Sequence, residues 1–98
     1  MTSNHAMNRM IARCDPAFGV APYDAMRKAE AMRDAITDQY PRLDAYMLVI
    51  AKSHQRVKVG KANGDMLCVL VRNNDIVTVM LRRSTQKPLE GMKHFHLQ

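Results

Sequence analysis

DIVTVMLRR, residues 75–83, decides how the second half of the chain folds. Ile76 to Leu81 is apolar or β-branched at every position, which predicts a strand inside a sheet. MLCVLVR (66–72) precedes it across a short NND connection, so the pair predicts an antiparallel hairpin. Side chains alternate along a strand. Val77, Val79 and Leu81 therefore share one face, and Thr78, Met80 and Arg82 share the other.

QRVKVG (55–60) alternates in the same way, with Val57 and Val59 against Arg56 and Lys58. If the valines of both segments meet a helical layer, then Arg56, Lys58, Thr78 and Arg82 gather on the opposite face. A slip of one residue would bury charge, so this register is well specified. The expectation is a sheet with one apolar face under helices and one open, cationic face. YMLVIAK (46–52) reads as a further strand, although its composition also fits a helix. KANGD (61–65) predicts a turn in which Asn63-Gly64 takes positive φ. After a loop containing Pro88 and Gly91, MKHFHLQ (92–98) predicts a short edge strand.

The first half reads as helix. Thr2 or Ser3 can cap a segment running to about Arg13, with Met7, Met10, Ile11 and Cys14 as its apolar stripe. CDPAFG then breaks it, through the Pro and Gly19. A second helix starts near Pro22 and runs to about Tyr40, where Pro41 ends it. Its inner face is Ala25, Ala29, Met32, Ile36 and Tyr40, and Asp24 and Lys28 form an i, i+4 pair outside. The fold class expected is α+β, in one domain spanning 1–98: two N-terminal helices on one face of a four- to five-stranded antiparallel sheet.

Composition narrows the function. The net charge is +6. Residues 1–45 hold six basic and six acidic residues, while residues 46–98 hold nine basic and three acidic, so the whole excess lies in the strand-forming half. That asymmetry favours a polyanionic partner such as RNA or another nucleic acid, against the alternative of a basic surface that only keeps the protein soluble. No apolar run reaches the roughly 18 residues of a membrane span, and the first residues do not read as a secretory signal. Cys14 and Cys68 have no metal-ligand spacing and read as reduced thiols in a cytoplasmic protein. There is no Gly-rich phosphate loop, GxSxG or HExxH, which leaves ATP-dependent, α/β-hydrolase and zinc-protease chemistry without support. No cofactor and no metal are expected.

Two further patterns carry candidate chemistry. HAMNRMIAR places His5, Arg9 and Arg13 at i, i+4 and i+8, on one polar stripe of the first helix. Imidazole moves protons near neutral pH and guanidinium holds phosphate. An ordinary solvated helix face has the same appearance. His94 and His96 share a strand face, but no third ligand lies near them in sequence, so they read as a chance pair. His54, between Ser53 and Gln55, fits either the cationic face or a turn.

HAMNRMIAR and the hairpin CVLVRNNDIVTVMLRR together resemble the barnase, colicin and RelE-like superfamily of small metal-independent ribonucleases. More closely, they resemble a phage and bacterial branch with an HxxxR opening helix. The resemblance covers about a third of the chain. It departs where Cys14-Asp15 follows Arg13 and in the length of the second helix. It implies helices followed by an antiparallel sheet, with the active site on the open face. By it, His5 is the acid/base candidate, and Thr78 and Arg82 line the floor of the cleft. Arg9, Arg56, Lys58 and Arg83 then contact nucleic acid, and an antitoxin or other acidic protein is the implied protein partner. The competing expectation is a non-catalytic accessory protein that uses the same cationic face for binding alone.

Overall fold

The computed structural model of the protein describes residues 1–97. Its order is α1 (Asn4–Arg13), a 3₁₀ turn (Pro16–Phe18), α2 (Pro22–Gln39), β1 (Ala45–Val59), β2 (Ala62–Arg72), β3 (Asp75–Arg82) and β4 (Lys93–His96). Ser3 caps α1 by accepting from the Ala6 N–H. Pro22 opens α2. Both helices lie against one face of a single four-stranded sheet ordered β3-β2-β1-β4. The α+β class and the two-helix layer therefore stand as expected. No described helix is long and apolar enough to cross a membrane.

The sheet is mixed, not antiparallel. β4 runs parallel to β1, with His94 opposite Met47 and His96 opposite Val49. The segment 83–92 makes this possible by carrying the chain back across the sheet before β4 begins. The segments 46–52 and 55–60 are one strand, β1, interrupted by register shifts between Val49 and Ala51 and between Lys52 and Val57. The turn after β1 is Gly60-Lys61, with Gly60 at φ +59°, and not Asn63-Gly64. Asn63 and Gly64 pair with β1 instead. A Cβ at Gly64 would land on the backbone of Arg82, so this position admits only glycine without a shift in β3. The β2–β3 turn is Asn73-Asn74, both at positive φ, the type I′ geometry that matches strand twist. The expected last strand ends at His96, and Gln98 lies outside the described residues.

The helix-side core holds Ala6, Met10, Ala25, Ala29, Ile36, Tyr46, Leu48, Val57, Val69 and Val79, all buried. Val77 is only half-buried, and Ile76 is fully buried in its place. The cause is a register shift in β3: Thr78 faces Leu70, whereas Ile76 faces Val71, so the alternation changes phase at Val77. Ile11 is half exposed rather than core, and Met26 is buried though it lies outside the expected stripe. Asp24 pairs with Arg27 and not with Lys28.

The opposite face is not the open cationic surface expected. Its centre is a second apolar cluster of Met47, Val49, Met66 and Cys68, with Leu70, Met80 and Met92 packed on it. Such satellite clusters form under long connections. Here Met92, at the end of the returning segment, helps cover the sheet. Arg56 and Lys58 are exposed on the far arm of the β1–β2 hairpin.

Candidate functional site

Arg82 is the last residue of β3, and it is only 8% exposed. It faces Met66 of β2, which in turn faces Lys52 of β1, so the three form one row across the sheet. β4 brings His94 and His96 to this same face, because their register partners Met47 and Val49 belong to the apolar cluster there. The 83–92 segment supplies Ser84 and Gln86. Together Lys52, Arg82, Ser84, Gln86, His94 and His96 line a cavity of about 200 Å³.

Among the described residues no carboxylate lines this cavity. The Arg82 guanidinium donates to the Lys87 carbonyl at 2.7 Å. Its Nε is buried and has no partner among the described residues. Among these residues it also forms no ion pair. Burying a cation without an opposite charge is costly. A guanidinium in that state, with an unused N–H, has the donor chemistry that an oxyanion can accept from.

His94 is fixed by the roof of the cavity: the Leu89 N–H donates to its Nε2 at 3.1 Å. An imidazole accepting at Nε2 carries its proton on Nδ1. Burial, then Arg82, then His96 lower the His94 pKa from its ordinary value. His94 is therefore held as the neutral ring. His96 is exposed, and its imidazole has no hydrogen-bond partner among the described residues.

The polar stripe of α1 lies elsewhere, along the outer edge of β3. His5 Nε2 is 3.3 Å from Thr78 Oγ1. Arg13 donates to the Val79 carbonyl. Arg9 is exposed between them on the helix. The Ser3 N–H donates to the Ile76 carbonyl, so the segment before α1 and the helix itself cover this edge. The structure thus joins His5 to Thr78 and separates both from Arg82, which lies four residues, or about 13 Å, farther along an extended strand.

A smaller cavity of about 160 Å³ adjoins the first, lined by His54, Arg56, Asp65, Arg83, Ser84 and Thr85. Ser84 belongs to both. Its N–H and hydroxyl donate to the Asp65 carboxylate at 2.7 and 2.6 Å. These bonds, with Arg56 nearby, keep Asp65 below its usual carboxylate range. Lys58 stands outside both cavities.

Sequence reasoning singles out Arg82 but not its companions Lys52, His94 and His96. Parity puts both histidines on one face, which is the usable signal. Nothing local indicates that their strand runs parallel to β1 and brings them to Arg82. Among the described residues no group of three or more His, Cys, Asp and Glu is arranged to hold a metal ion. No protein-family model, curated protein or solved structure matches the chain.

Proposed function

We propose that the protein acts on RNA, as a metal-independent endoribonuclease whose phosphate-binding centre is the Arg82 cavity. The observation that carries this reading is the buried Arg82 guanidinium beside Lys52, His94 and His96, with no carboxylate among the described lining residues. The basic excess of residues 46–98 supports it, since phosphate contacts dominate nucleic-acid affinity.

In this scheme Arg82 and Lys52 hold the non-bridging phosphate oxygens and offset the charge that grows on them. The Nδ1–H of His94 supplies a further donor. His96 takes the proton of the ribose 2′-hydroxyl. The 2′-oxygen bonds to phosphorus, the bond to the 5′-oxygen breaks, and the leaving oxygen takes a proton from solvent. The products are a 2′,3′-cyclic phosphate and a 5′-hydroxyl. The need for a 2′-hydroxyl makes RNA the substrate and DNA only a ligand.

The test is cleavage of a labelled oligoribonucleotide in the presence of chelator. Cleavage to a cyclic phosphate that His96→Ala reduces by ~10²–10⁴ supports the reading. RNA that binds but is never cleaved leaves the non-catalytic binding protein. RNA that does not bind at low salt removes both.

A further inference from the structure

Arg82 and Arg83 are consecutive residues, yet their side chains enter two different cavities. Ser84, the next residue, forms the partition between them. The chain here is leaving β3, so neighbouring side chains diverge to opposite sides of the backbone. Arg56 reaches the second cavity from β1. Two guanidiniums there face one carboxylate. That carboxylate is already occupied by both Ser84 donors. Its tie to Ser84 also fixes the backbone that separates the cavities.

From this arrangement we infer that the site takes a polynucleotide strand at two successive phosphates, one in the Arg82 cavity and the next at Arg56 and Arg83. The inference rests on the RNA reading and adds a substrate requirement to it: a strand of at least two phosphates, not a mononucleotide. The first position is the deep one, because Arg82 is 8% exposed and its Nε is buried without a described partner. The second is shallow, since Arg56 and Arg83 are both exposed. A deep site followed by a shallow one gives the strand a direction. His54 borders the shallow position.

The experiment uses fluorescence anisotropy with a labelled 2′-deoxy oligonucleotide, which binds without being cut, and inorganic phosphate as competitor. Arg56→Ala with Arg83→Ala should weaken oligonucleotide binding at least tenfold. It should also flatten the slope of log affinity against log salt by roughly 0.7 for each single-strand phosphate that is no longer neutralised. Inorganic phosphate should compete with the same midpoint after correction for oligonucleotide affinity, because it occupies the Arg82 cavity. Arg82→Gln should weaken both ligands. Both arginines of the shallow position are exposed, so the double variant keeps its fold, which its thermal melt verifies. An oligonucleotide that binds the double variant as tightly as the wild type overturns the second position alone. A wild type that binds no oligonucleotide at low salt overturns the RNA reading and this inference with it.

Discussion

The Leu89 N–H donates to Nε2 of His94 across 3.1 Å, and this bond ties the returning 83–92 segment to the sheet. Protonating that nitrogen destroys the acceptor. Burial, Arg82 and His96 all favour the neutral ring, so the folded pKa lies below the unfolded one. Between the two values the unfolded chain holds a proton that the folded chain lacks. The stabilisation is complete above the unfolded value, about 6.5, and is lost as pH falls through the window beneath it. The wild-type melting temperature should fall between neutral pH and pH 5. His94→Gln keeps an acceptor at that position without titrating, so its melting temperature should fall less. Equal pH profiles for the two proteins would refute the assignment.

In the proposed reaction His5 and His96 are the rival acid/base candidates, and their surroundings differ. His5 touches Thr78 at the covered edge of β3, while His96 stands over the Arg82 cavity. His96→Ala should lower RNA cleavage by ~10²–10⁴ and leave oligonucleotide affinity within a few-fold. His5→Ala should leave cleavage nearly intact. Reversal of these two results would move the chemistry to the His5–Thr78 pair and make the Arg82 cavity a binding position only.

Gly64→Ala should be destabilising, although alanine suits most strands better than glycine. The added methyl meets the Arg82 backbone, which must move. Overpacking of this kind costs about 1–3 kcal/mol. Because the displaced residue carries the buried guanidinium, phosphate affinity should drop in the same variant. A melting temperature and phosphate affinity equal to wild type would contradict the close approach.

The register shift in β3 predicts unequal costs at two neighbouring positions. Ile76→Ala should lose about 2–5 kcal/mol, as expected for a fully buried large-to-small change. Val77→Ala, at a half-buried position, should lose well under half of that. Denaturant unfolding of the two variants measures the difference. Equal losses would mean that β3 alternates without interruption.

The hairpin MLCVLVR–NN–DIVTVMLRR is legible because both strands are locally unambiguous and their turn has only two residues. The helices are legible from Pro22, Pro41 and the spacing of Ala25, Ala29 and Ile36. The β1–β2 turn, the phase of β3 and the surroundings of Arg82 are instead decided by contacts distant in sequence. Gly60-Lys61 and Asn63-Gly64 are both suited to a turn, and the approach of Arg82 to Gly64 selects the first. Val77 and Ile76 are equally apolar, and the covered edge beside them fixes which one turns inward. In the same way Arg82 is visible as a cation, but its surroundings are not. Lys52, His94 and His96 reach it only through the cross-strand row and the parallel placement of β4.

Ser3 joins α1 to β3 twice, through its N–H to the Ile76 carbonyl and its hydroxyl to the Val77 carbonyl. The second contact spans 74 positions of sequence. Closing so long a loop costs conformational entropy before any contact compensates for it. β1, β2 and β3 are joined by two-residue turns and close their ladders cheaply. The meander should therefore assemble first and α1 should dock after the rate-limiting step. A substitution at this clasp then acts on escape from the native state and not on arrival at it. Ser3→Ala, which also removes the helix cap, should cost about 1 kcal/mol and appear mainly as faster unfolding in a chevron plot. A slowed folding limb would place the docking of α1 inside the nucleus.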